Sequence, residues 1–260
     1  MYVYDNAAAE AVGRLRILPE IFDGETMRHL AARGVGAGWR CLEIGGGKGS
    51  IGGWLSDQVG TGGHVLITDI DPRHALPPAS PNLEIRRHDI QTDPLPEKAF
   101  DLIHARLVLV HLPERERVLD RIFSWLKPGG WLVLEEFQTL PVEQTVDPAD
   151  LVFVANAVRA LRQVNIAAGV DPSFSRAMTQ LMRSHGFVEV EREGRSFAWR
   201  GGSAGATLLR LNCEQTCDTA IASGLCTRGD VASFLERLAD PKFEILSPIM
   251  WSAWGRRPLD

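Results

Sequence analysis

The stretch "LEIGGGKGSIG", residues 42–52, decides how the rest of the chain is read, because five of its eleven residues are glycine. Glycine loses more chain entropy on folding than any other residue, so the cluster carries a cost. It is explained by a turn that no side chain allows, or by close approach of backbone to a ligand. Three kinds of loop compete. A phosphate-cradling loop needs G-x-x-x-x-G-K followed by Ser or Thr. Here Lys48 precedes Gly49, and the spacing fails. Gly47, Gly49 and Gly52 fit the dinucleotide fingerprint G-x-G-x-x-G, and Asp69 lies 20 residues after Gly49. Glu43, Gly45, Gly47 and Gly49 fit a third register, E-x-G-x-G-x-G. On either of the last two readings Asp69, at a strand end, would hold ribose hydroxyls.

Outward from the loop, short apolar runs alternate with helical patterns. "RCLEIG" (40–45) reads as a strand, "SIGGWLSDQVG" as a helix, and "GHVLITDID" (63–71) as a second strand. "NLEIRRHDI" (82–90) is a third strand, "FDLIHARLVL" opens with a fourth, "ERERVLDRIFSWL" is a helix, "KPGG" a turn and "WLVLEEF" a fifth strand. Such alternation implies a parallel sheet with helices on both faces. Residues 6–33 read as two helices broken at "LPEIFDG". The C-terminal half offers helices over "PADLVFVANAVRALRQVNIA" and "SFSRAMTQLMRSHG", then a long strand at 187–199. Two more helical patterns follow, and a last strand, "FEILSPIMWSAWGRR". The two late strands are expected to pair antiparallel.

Taken in order, five blocks over residues 40–136 resemble the class I S-adenosylmethionine-dependent methyltransferases. "LEIGGGKG" looks like that family's donor loop, "VLITDID" its ribose-binding strand end at Asp69, and "RRHDI" the acid beside adenine at Asp89. "FDL" (100–102) and "LKPGG" (126–130) match the fourth and fifth strands. The resemblance implies an α/β, Rossmann-like fold with a seven-stranded, mostly parallel sheet whose last strand is antiparallel. It implies an N-terminal helical cap (1–33), a donor-binding core (34–200 and 243–260) and a helical insert or lid (201–242). S-adenosyl-L-methionine would be held by Glu43, Gly45, Gly46, Gly47, Gly49, Asp69, Ile70, Asp89, Ile90, Ala105 and Arg106. Asp69 would take two hydroxyls and Asp89 the adenine amine, while Ile90 would offer its backbone amide to the ring. Ala105 and Arg106 would lie beside the methionine part.

Composition narrows the partners. The net charge of −5, with 28 basic and 33 acidic residues, argues against nucleic acid, which wants a basic stripe. No apolar run reaches the ~18 residues of a membrane span, and the N-terminus lacks the pattern of a signal peptide. A cytoplasmic protein is expected. Cys213 and Cys217 sit one helical turn apart, but no further ligand completes a zinc or cluster motif, so reduced thiols in packed helices are expected. No metal is expected either: of Glu135 and Glu136, strand alternation points only one inward.

Methyl transfer chiefly needs alignment, since the donor is already activated. A base is needed only where the acceptor must lose a proton. His111, after the fourth strand, either takes that proton as a neutral imidazole or caps the loop. The only tyrosines are Tyr2 and Tyr4. Tyr4 either meets the sulfonium or acceptor, or belongs to a terminus that is disordered or makes an oligomer contact, a homodimer being the oligomer expected. The Asn/Asp-Pro-Pro-Tyr/Phe motif of amide and adenine methylation is absent after the fourth strand. The helices of the C-terminal half offer Phe153, Phe174, Leu208, Leu211 and Phe234 to a small, apolar or aromatic acceptor of the secondary-metabolite kind. An enzyme of the same fold and donor doing a non-methyl reaction, such as a cyclisation, is the alternative.

Overall fold

The computed structural model describes residues 9–78 and 80–259, and resolves them into two compact units. The first is built on a seven-stranded sheet and comprises residues 22–137, 173–194 and 250–260. Its strands are β1 (Arg40–Ile44), β2 (His64–Asp69), β3 (Leu83–Arg87), β4 (Phe100–Arg106), β5 (Leu126–Gln138), β6 (Val188–Arg195) and, from the C-terminal end, β9 (Ile249–Arg256), in the order β3-β2-β1-β4-β5-β9-β6. β1 pairs in parallel with β2 and β4, β2 with β3, and β4 with β5. The sheet is mostly parallel with an antiparallel last strand, the expected Rossmann-like architecture. Order reverses at β1, where the chain goes outward to β2 and β3 and returns across to β4. The C-terminal ends of β1, β2 and β4 therefore flank a crevice of the kind where open α/β sheets bind ligands.

Parallel strands buried on both faces need near-continuous apolar runs. Four of the five residues of β1 are buried, and β2 buries the run Val65–Thr68. One core cluster joins Cys41, Val65, Ile67, Leu102 and Val133 of the sheet to Ile51, Leu55 and Val59 of helix α2 (Ser50–Val59) and to Leu30. Helices α3 (Arg115–Trp125) and α5 (Phe174–Ser184) bury Val118, Leu119, Ile122, Phe174, Met178 and Met182 at helical spacing.

The second unit comprises residues 138–172 and 195–249 with the N-terminal part up to Ile21. It holds helices α4 (Pro148–Ala167), α6 (Ala204–Ala222) and α7 (Arg228–Ala239) and a two-stranded antiparallel sheet of β7 (Ala198–Arg200) and β8 (Glu244–Leu246). Asp147 and Ser203 cap α4 and α6, and Thr227 with Asp230 forms a capping box on α7.

Three sequence expectations are corrected. Residues 9–32 form one helix, α1 (Ala9–Ala32), which carries Pro19 inside it instead of breaking at "LPEIFDG". "KPGG" is no free turn but a bulged part of β5: Phe100 faces Leu126, and Leu102 next faces Trp131. The long strands expected at 187–199 and near the C-terminus are each split between the two sheets, β6 from β7 and β8 from β9. The buried Ser247 marks the split, accepting from the backbone N–H of Phe197 at 2.9 Å and donating to the carbonyl of Pro248.

Candidate active site

Glu43 is the last residue but one of β1, and the glycine loop follows Ile44. Gly45, Gly47 and Gly49 take φ of 67°, 55° and 86°, the left-handed region that disfavours any side chain. Their close neighbours belong to the chain itself. A Cβ on Gly45 would stand 2.3 Å from Cγ2 of Val108, and one on Gly46 would stand 2.3 Å from Cγ2 of Ile67. The backbone N–H groups of Gly45 and Gly46 both donate to the carbonyl of Thr68. Much of the glycine content is thus fixed by packing loop against sheet, before any ligand is considered.

Asp69 ends β2 beside this loop. Its Oδ2 accepts from the N–H of Gly47 at 3.1 Å and its Oδ1 from the N–H of Asp71 at 2.9 Å. Burial raises the carboxyl's pKa against the lowering effect of those amides. A carboxylate has about four lone-pair sites, so two backbone bonds leave it able to accept from vicinal hydroxyls. The next residue, Ile70, is 60% exposed. Asp89 and Ile90 follow β3, which is held to β2 there by the N–H of His88 on the carbonyl of Asp69. Asp89 accepts from the N–H of Gln91, and the Ile90 side chain is buried.

At the end of β4, Ala105 is buried and Arg106 is committed: its guanidinium donates to Asp23 at 2.7 Å and to Thr26 at 2.8 Å, both on α1. Leu107 then takes φ 57°, a strained value for a side-chain-bearing residue, and donates its N–H to the carbonyl of Glu135. His111 closes the short 3-10 turn at Leu109–His111 and is half-buried. Tyr4 lies outside the described residues. Of the apolar side chains offered to an acceptor, Phe174, Leu208 and Phe234 are closed into packing, whereas Phe153 is 41% exposed beneath the guanidinium of Arg237.

The sequence reading missed a buried ionic chain just below the loop. His104, wholly buried in β4, points Nδ1 at Oε2 of Glu43 (2.6 Å) and Nε2 at Oε2 of Glu135 (3.3 Å). Glu135 is further held by the hydroxyls of Thr26 and Ser252. Although burial opposes charge, the two carboxylates raise His104 to about 9 and the imidazolium holds Glu135 down near 2. The signal for it was a histidine within the buried run "LIHA" (102–105) of β4. Glu136 is buried as well, so the expectation that only one of the two acids turns inward is overturned: with both faces of β5 covered, alternation no longer separates inside from outside. Glu136 accepts from the N–H of Val110 at 3.1 Å, and burial pushes its carboxyl up to about 8.

Comparison with known proteins agrees with this fold. The family described as methyltransferase domain matches residues 8–192. The chain belongs to that family. This methyltransferase-family chain is 31% identical over 156 residues to methyltransferase str3 of Strobilurus tenacellus, a match covering 60% of this chain and 55% of that protein. It is 28% identical over 160 residues to the ubiquinone/menaquinone biosynthesis C-methyltransferase UbiE of Vibrio vulnificus, covering 58% of this chain and 60% of the relative. The matches thus span little more than half the length of either relative. In fold it is similar to phosphoethanolamine N-methyltransferase 2 of Haemonchus contortus, solved with phosphomonomethylethanolamine and S-adenosylhomocysteine: TM-score 0.59, 15% identity, covering all of this chain and 61% of that one. The family's donor, S-adenosylmethionine, fits the residues present: an acid with spare acceptor capacity at Asp69, an exposed apolar side chain at Ile70 and a second acid at Asp89. No basic side chain lies in the first turn of α2, where a phosphate ligand would profit from one.

Proposed function

We propose that this methyltransferase-family chain moves a methyl group from S-adenosylmethionine to a small, apolar or aromatic acceptor of the secondary-metabolite kind. The observation that carries the donor half is the Asp69 carboxylate, bonded to the loop N–H of Gly47 at the switch point of the sheet. On this reading Asp69 accepts from the ribose hydroxyls and Asp89 from the adenine amine. Ile70 covers a face of the base, and the Ile90 amide meets the ring edge. Glu43, Gly45, Gly46, Gly47 and Gly49 shape the methionine side, and the backbone at Ala105 and Arg106 borders it. When bound, the donor supplies a methyl already activated on sulfonium, so alignment is the main demand on the protein. The acceptor half is supported by the quinone pathway in the name of the relative UbiE and by the absence of an amide- or adenine-methylating motif. We assign acceptor choice to residues 201–242, which carry none of the donor motif. Cytoplasmic residence is part of the same proposal; among the described residues no helix is long and apolar enough to cross a membrane, and all four cysteines are free.

Replacing Asp69 with Ala is expected to weaken adenosylhomocysteine binding, measured by calorimetry, by at least about tenfold, the worth of one or two charge-assisted hydrogen bonds. Unchanged affinity would sink the donor reading. His111 is proposed as the base for an acceptor that must lose a proton. Replacing it with Ala should slow transfer of labelled methyl to an aromatic acceptor about 100-fold or more while donor affinity stays level. Equal turnover would remove it from the chemistry and leave it the loop-capping role.

A further inference from the structure

The chain Glu43–His104–Glu135 is more than a buried ion pair, because of what it lies under. Glu43 sits at the junction of β1 and the glycine loop, and its Cγ is 3.4 Å from where a Cβ on Gly46 would be. One of its carboxylate oxygens is occupied by His104 at 2.6 Å. From the other side the imidazole is met by Glu135, itself fixed by Thr26 of α1 and Ser252 of β9. Arg106, on the same strand as His104, is locked to Asp23 and Thr26. The charged groups facing His104 are therefore Glu43 from β1 and Glu135 from β5, with the Arg106–Asp23 pair beyond them.

Two carboxylates cannot remain ionised and buried this close together without a cation between them. A neutral imidazole has one N–H and could donate to only one of them. The cation also removes the rotamer freedom of a glutamate side chain. Resting on the donor reading above, we infer that His104 is a positioning residue: by bonding both acids at once it holds the Glu43 carboxylate in one orientation beneath the glycine loop and thereby sets donor affinity. Neither the loop motif nor any resemblance assigns it this part. Its role is exerted through Glu43, and it touches no reacting atom.

Acting through Glu43 has a distinct thermodynamic signature. If His104 matters only because it places Glu43, removing both must cost no more than removing either. The test is calorimetry with adenosylhomocysteine on wild type, H104N, E43Q and the double variant, each checked for native circular dichroism. H104N and E43Q should each weaken binding about tenfold or more, the loss of one charge-assisted hydrogen bond, and the double variant should bind no worse than the weaker single one. Losses that multiply, or a folded H104N that keeps wild-type affinity, overturn the inference. Nitrogen-15 histidine spectra of the wild-type protein supply a readout that needs no variant to fold. His104 should carry protons on both ring nitrogens at pH 8, where an ordinary imidazole is neutral, and a neutral His104 there overturns the inference. Wild-type protein that does not bind adenosylhomocysteine defeats the donor reading itself; wild-type binding that survives in H104N defeats only the part given to His104.

Discussion

Gly52 and Gly53 are adjacent in α2, and their surroundings give them opposite consequences. A Cβ on Gly52 would lie 2.3 Å from Cδ1 and 2.4 Å from Cγ1 of Ile67, a core side chain that is 1% exposed. A Cβ on Gly53 meets nothing within 4 Å. Gly52→Ala should therefore destabilise the protein by about 1–3 kcal/mol through overpacking. Gly53→Ala should stabilise it by about 0.5–1 kcal/mol through helix propensity and reduced unfolded-chain entropy. Urea denaturation of the two variants beside wild type decides this; shifts of the same sign would refute it. The pair also shows what the sequence could and could not tell about the loop. Glycine spacing marked the turn and, with Asp69, the kind of site. That Gly46 and Gly52 are needed because Ile67 stands against both was not legible, since it depends on how far β2 leans on the loop.

At the scale of elements, β1, β2 and β4 were legible because a strand buried on both faces must be a largely apolar run, whatever surrounds it. Breaks were less legible. Pro19 and Gly24 mark a helix interruption locally, yet α1 continues, burying Phe22, Thr26, His29 and Leu30 along one side; tertiary packing outweighs local propensity there. The segment after β4 is the clearest case of a structure with no local signal. Leu107 is left-handed, Val108 fills the space above Gly45, and the N–H of Val110 turns inward to Glu136. Its conformation depends on a carboxyl twenty-six residues away in sequence. That carboxyl, raised to about 8 in the folded protein, titrates near 4.3 in an unfolded chain. Between these values the folded state binds the extra proton, so the stability Glu136 contributes is full below about pH 4 and is lost as pH rises toward 8. Glu136→Gln, neutral and of similar shape, should abolish that share of the slope. Its stability relative to wild type should then rise from pH 5 to pH 8.5 in denaturant titrations. A constant difference across that range would show that Glu136 does not titrate there.

For the whole molecule, the division into two units predicts a division of labour. Every residue assigned to the donor lies in the sheet unit, between Glu43 and Arg106. The helical unit is held by its own contacts: a two-stranded sheet of Ala198–Arg200 with Glu244–Leu246, the ion pairs of Arg159 with Glu143 and Arg237 with Asp150, and a core including Leu208, Phe234 and Phe243. Donor binding should therefore slow amide exchange where the donor is held and leave the helical unit as it was. With adenosylhomocysteine at about 100 times its dissociation constant, the donor-bound state gains about 2.7 kcal/mol over states that cannot bind. Hydrogen–deuterium exchange should report that gain as slower exchange in the segments around 43–50, 69–71 and 88–91. Exchange in Ala204–Ala222 and Arg228–Ala239 should change only when an acceptor is added, since residues 201–242 are assigned to its choice. Equal protection of those two helices by adenosylhomocysteine alone would overturn that assignment, because a segment carrying no donor motif would then be answering to the donor.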